Sequence, residues 1–188
     1  MLIAEACYRP TKRPPPDGPG ADRIQLKRDT SMDLETIAEH VAQKLADRGE
    51  RLALAESCTG GLIAATLATI PGISTNLAGS MVVYQEATKQ SWLGVAEDTL
   101  AEHTAVSPPV AHQMVTGLLQ RTPQAELGAS VTGHLGPDAP DGFDGLVFVG
   151  LCRRGESPKI LRVDLAKKKR VARQREAAMR VLELLLDL

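Results

Sequence analysis

Apolar residues recur at Leu34, Ile37, Val41 and Leu45 in "SMDLETIAEHVAQKLADRG", a helical spacing. Ser31 or Asp33 can cap the start of that helix, and Gly49 stops it. The pattern then changes: "RLALAE" is a short continuous apolar run and reads as a buried strand, and "GLIAATLATI" reads as a helix ended by Pro71-Gly72. "NLAGSMVVYQ" reads as a second strand, followed by short helices over "EATKQSWLG" and "AEDTLAEH". After "AVSPP", where Ser107 is a candidate cap, "VAHQMVTGLLQR" predicts an amphipathic helix. Strands follow over "LGASVTG", "GLVFVGLCRR" and "KILRVDL", and "RVARQREAAMRVLELLLDL" predicts a long C-terminal helix.

Strands alternating with helices predict an α/β fold, three-layer α/β/α. The close pair in "LCRRGESPKILRVDL" predicts an antiparallel hairpin at one edge, and hence a mixed sheet. Residues 1–31 lack this patterning. "YRPTKRPPPDGPGADR" concentrates proline, glycine and charge, which predicts a disordered tail ahead of one domain over 32–188. Met32 is a candidate start of translation. The last helix carries Leu182, Leu184, Leu185, Leu186 and Leu188 close together, more apolar surface than one stripe needs, which predicts a homo-oligomer, most simply a two-fold dimer.

Composition narrows the function classes. The 188-residue chain carries a net charge of −1 and only 3% aromatic residues, which argues against a nucleic-acid partner. Without a signal peptide or a run of 18 apolar residues, no membrane partner is expected and the reading is cytoplasmic. Three scattered cysteines suit a reducing compartment and form neither a disulfide framework nor a zinc site; no metal or cofactor is expected. Cys152 and the lone Trp92 read as core residues.

Candidate chemistry gathers where "LALAE" meets "SCTGG". In α/β folds ligands bind beyond the carboxyl ends of strands, where helix N-termini favour anions and glycines allow close approach. Ser57, Cys58, Thr59, Gly60 and Gly61 occupy that seam. The plainer reading is that Ser57 and Thr59 cap the helix and Cys58 packs inward. Two more strand ends add weight: Tyr84 closes "GSMVVY" with Lys89 five residues on, and Thr132-Gly133 closes "LGASV". A lysine near a phenol lowers its pKa, and either group can take a proton from a serine.

"LALAESCTGGLIAATL", "GSMVVYQEATKQSWLGVAEDTLAEHTAVS" and "ASVTGHLGP" together resemble the CinA C-terminal domain family, whose enzymatic members are nicotinamide mononucleotide amidohydrolases. The resemblance runs from about residue 33 to the C-terminus. It implies hydrolysis of a small nucleotide's carboxamide, with Ser57 as nucleophile assisted by Tyr84 and Lys89. Thr132 would lie at the substrate and Gly133 beside it. A basic residue among Arg170, Arg173 and Arg175, taken as Arg173, would bind phosphate. Lys89 would act directly or through Tyr84, N–H groups around Thr59 to Gly61 would form the oxyanion hole, and Cys58 is the rival nucleophile. The chain departs from the family pattern at Gln85, Glu86, His134, Leu135 and "DAPDGFDG". Those departures motivate an alternative: a non-catalytic nucleotide-binding or interaction module of the same family.

Overall fold

The computed structural model describes residues 21–23, 32–166 and 168–188. Its strands are β1 (Asp22–Arg23), β2 (Leu52–Glu56), β3 (Leu77–Val82), β4 (Leu127–Gly133), β5 (Leu146–Arg153) and β6 (Lys159–Asp164). Its α-helices are α1 (Leu34–Arg48), α2 (Leu62–Ala68), α3 (Glu86–Leu93), α4 (Glu97–His103), α5 (Pro108–Arg121) and α6 (Arg170–Leu186). The strands form one sheet in the order β1-β6-β5-β4-β2-β3. β2 runs parallel to both β3 and β4, whereas β5 is antiparallel to its neighbours β4 and β6, so the sheet is mixed.

Alternation along each strand sorts the sheet into two faces. On one face Leu52, Leu54, Ala129, Val131, Val149 and Leu161 pack beneath α1, α2 and α6. On the other, Ala53, Ala55 and Cys152 meet α3, α4 and α5, and Phe148 with Ile160 completes a smaller cluster. The fold is therefore α/β in three layers. β2 is buried on both faces, which explains its unbroken apolar run.

Local signals set the helix ends. Asp33, not Ser31, caps α1: its carboxylate accepts the Thr36 N–H at 2.9 Å, and Gly49 ends the helix at φ 61°. α2 stops at Ala68, earlier than "GLIAATLATI" suggests. The residue before a proline is pushed out of the helical region, so Ile70 ahead of Pro71 cannot extend it. Ser107 precedes α5, but its hydroxyl donates to Thr104 O, and Pro108 supplies the first-turn geometry. α3 lies so close on α5 that a Cβ at Gly117 would sit 1.8 Å from Leu93 O. That contact fixes where α3 delivers Lys89.

Three expectations meet different facts. Asp22–Arg23 pairs in parallel with Leu161–Arg162 and Ala21 packs on the small cluster, so this piece of the expected tail adds an edge strand. The remainder of residues 1–31 lies outside the described residues. The clustered leucines of α6 turn inward: Leu182, Leu184 and Leu185 are buried, and Leu186 and Leu188 pack against the same core. The leucines from which the two-fold dimer was read therefore lie against the domain's own core. Cys152 is buried, but Trp92 stands half exposed. Among the described residues, no helix is long and apolar enough to cross a membrane.

Candidate active site

The seam is organised by a residue that chemistry-seeking passes over. Glu56, the last residue of β2, is fully buried. A helix start leaves its first N–H groups without partners. The Glu56 carboxylate accepts those of Gly61, Ile63 and Ala64 at 3.0, 3.2 and 2.9 Å. It also accepts the hydroxyls of Thr59 at 2.8 Å and Ser80 at 3.2 Å. The turn is tightened by the Gly60 N–H on Ser57 O, with Gly60 at φ 64° and Gly61 at φ 95°. Gln174 from α6 pins it from outside by donating to Thr59 O at 2.8 Å.

This corrects the anion-facing role expected of Gly60 and Gly61, and that of the Thr59 side chain but not of its N–H. The Thr59 side chain points to Glu56, and the Gly60 and Gly61 N–H groups are already taken. The glycines serve the turn's left-handed backbone instead. Among the described residues, two N–H groups of the turn, those of Cys58 and Thr59, donate to no other residue, and they immediately follow Ser57.

Ser57 is held by its N–H on Val131 O at 3.1 Å. Its Oγ lies 2.9 Å from Lys89 Nζ, which also donates to Val83 O at 2.8 Å. Lys89 is only 1% exposed. Burial pulls its pKa down to about 8, against smaller opposing effects from Cys58 and Glu86. A lysine so placed has an appreciable neutral fraction near physiological pH, and the neutral amine is a base for the hydroxyl it touches. Cys58 is buried as well, and burial pushes its thiol up to about 12. Protonated at ordinary pH, it is a poor nucleophile.

Around this pair lies a cavity of about 670 Å³, well within the range of small-ligand sites. Ser57, Cys58, Tyr84, Lys89, Thr132 and Gly133 all line it, as do Glu86, His134 and Arg170. Thr132 is buried and donates to Ala105 O at 2.7 Å. His134 is half-buried, with its ring edge-on to Phe143 and its pKa lowered by burial and then by Arg170. Tyr84 is 56% exposed at the rim, where its hydroxyl accepts from Arg170 at 2.7 Å. Lys89 thus reaches Ser57 directly, while Tyr84 is engaged elsewhere.

Arg173, taken from the sequence as the phosphate ligand, does not line this cavity. Its guanidinium is buried against Asp144 in a two-pronged pair and donates to Ala166 O and Leu135 O. Arg175 pairs with Glu35. Arg170, the first residue of α6, is the arginine at the cavity, and it also donates to Gly136 O at 2.7 Å. Sequence reasoning passed over Glu56; its one signal is a carboxylate ending a buried strand directly before a turn and helix.

The CinA C-terminal domain family matches residues 34–188. The chain belongs to that family. It is 47% identical over 124 residues to a CinA-like protein of Syntrophotalea carbinolica, covering 65% of this chain and 30% of that protein. It is 40% identical over 136 residues to a CinA-like protein of Myxococcus xanthus, covering 71% and 32%. The match thus spans about a third of the length of these relatives. Among solved structures, the competence/damage inducible protein CihA of Agrobacterium tumefaciens superposes with a TM-score of 0.79 at 31% identity, over 84% of this chain and 97% of that one. The competence damage-inducible protein A of Klebsiella pneumoniae gives 0.79 at 29%, over 83% and 96%. The layered fold of this CinA C-terminal domain is the one those structures have.

Proposed function

We propose that this CinA C-terminal domain is a nicotinamide mononucleotide amidohydrolase. It would convert the nucleotide's carboxamide and water to nicotinic acid mononucleotide and ammonia, with Ser57 as nucleophile. The observation that carries the reading is the 2.9 Å contact between Ser57 Oγ and the buried, pKa-lowered Lys89 at a ligand-sized cavity. The family resemblance supplies the substrate.

In this mechanism neutral Lys89 takes the Ser57 proton as Oγ bonds to the amide carbon. The oxyanion that forms is met by the unpartnered N–H groups of Cys58 and Thr59, each such donor contributing roughly 3–4 kcal/mol to the transition state. The lysine ammonium passes its proton to the leaving nitrogen, the C–N bond breaks and ammonia departs. Lys89, neutral again, activates water to cleave the Ser57 ester, releasing the carboxylate and restoring the hydroxyl. Arg170 at the cavity wall is the cation suited to the nucleotide's phosphate, in place of Arg173.

The test is ammonia and nicotinic acid mononucleotide formation by the purified chain, with Ser57→Ala as control. Turnover by the wild type that disappears in the variant supports the reading. The second reading, a binding module without turnover, draws on Glu86, a carboxylate on the cavity wall. Nucleotide binding with no ammonia release would favour it.

A further inference from the structure

Resting on the amidohydrolase reading, we propose that Glu86 determines specificity for carboxamide over carboxylate, accepting a hydrogen bond from the substrate's amide –NH2 and repelling the acid that the reaction forms. Glu86 opens α3 and Lys89 lies three residues on, so the two occupy the same side of the helix. Both line the cavity that Ser57 enters. Glu86 is the only carboxylate among the residues lining it; the other charged lining residues are Lys89 and Arg170, with His134 and Tyr84 the remaining titratable side chains besides Cys58. It is exposed, so a ligand can reach it, and its charge acts on Lys89 in the direction that opposes burial.

The chemistry of an amide and its acid differs at one group. The amide presents two N–H donors, which a carboxylate accepts well; the acid presents only acceptors and a negative charge. Amide and acid share the pyridinium ring, ribose and phosphate, so a carboxylate on the cavity wall that reaches the scissile group discriminates between them at the one group that differs. Discrimination is strong where a ligand change leaves like groups facing each other. The same repulsion favours product release once the ester is cleaved.

Equilibrium binding in the Ser57→Ala background separates recognition from turnover. Nicotinamide mononucleotide and nicotinic acid mononucleotide are each titrated calorimetrically into Ser57→Ala and into Ser57→Ala/Glu86→Gln. The expected result is an amide preference of about tenfold in the first protein, reduced about fivefold in the second, chiefly because the acid binds more tightly. Glu86 begins an exposed helix end, so Gln keeps its shape without its charge. Both compounds bound with an unchanged ratio would overturn the role of Glu86 and leave the amidohydrolase reading standing. Binding of neither compound would overturn the reading and the inference together.

Discussion

The floor of the cavity and its rim draw on the same strand ends but hold their polar groups differently. On the floor, Glu56, Lys89 and Thr132 are almost completely buried and Ser57 nearly so, and each has a protein partner at hydrogen-bond distance. At the rim, Tyr84 is more than half exposed and Glu86 is exposed; Tyr84 is tied to Arg170, across 86 residues of sequence. Buried polar groups are costly to leave unpaired, so the floor tolerates one arrangement. Exposed ones are screened and adjustable. Chemistry that needs a fixed distance belongs on the floor, and recognition that tolerates adjustment belongs at the rim.

Two neighbouring floor residues test that division most severely. Ser57→Ala should lower turnover by about 10⁴-fold or more, because it removes the atom that becomes acylated in the proposed mechanism. Cys58→Ala should keep most of the activity, since burial holds the thiol protonated and far from reactive. Steady-state ammonia release from both variants decides the matter. A dead cysteine variant beside an active serine variant would assign the chemistry to the thiol.

Lys89→Met comes next, with an expected loss of roughly 10³-fold in turnover. Wild-type turnover should rise with pH through about 8, as the buried amine loses its proton, and the residual activity of the variant should lack that limb. Stability carries the same signature with a definite sign. The unfolded lysine keeps a pKa of about 10.4. Between about 8 and that value the unfolded chain holds a proton that the native site has released, so native stability rises with pH across the window. Below about 8 both states are protonated and the cost of burying the ammonium is present in full. Denaturant titrations should show wild type gaining roughly 3 kcal/mol on Lys89→Met between those pH values. Parallel pH dependences in the two proteins would place the titration elsewhere.

Glu56→Gln probes the floor without touching the reacting atoms. The carboxylate accepts three N–H groups and two hydroxyls, whereas an amide turns an –NH2 toward donors. A loss of about 1–3 kcal/mol in unfolding free energy is expected. As the Ser57 turn loosens, kcat should fall about tenfold with KM little changed. A fully stable, fully active variant would show that the turn holds itself.

The same division explains what the sequence disclosed. The layers were legible because burial on both faces makes β2 a continuous apolar run and helical spacing marks α1, α5 and α6. Ser57, Thr132 and Gly133 were legible at or just after strand ends and Lys89 on the helix that follows one, though their meeting at one cavity depends on α3 seating against Gly117. Glu56 was not, since a strand-end carboxylate looks solvated until the helix start above it is known to need an acceptor. Arg170 and Arg173 lie three residues apart on α6, and periodicity cannot tell which one meets Asp144. The leucines of α6 read as surplus because the depth of the groove between α1, α2 and the sheet is a tertiary property.

The smallest effect is expected at Tyr84. Its hydroxyl accepts from Arg170 at 2.7 Å, whereas Lys89 contacts Ser57 and Val83 without it. If proton transfer runs directly between Lys89 and Ser57, Tyr84→Phe removes one exposed hydrogen bond and nothing from the chemistry. Such a bond contributes about 1 kcal/mol or less. Turnover should therefore fall by no more than about threefold, with any larger change confined to KM as Arg170 loses an anchor. The pH at which activity rises should stay near 8, because Tyr84 is not among the groups that shift Lys89. A hundredfold fall in kcat with a displaced pH profile would make Tyr84 part of the proton path, and would move this rim residue to the floor's side of the comparison.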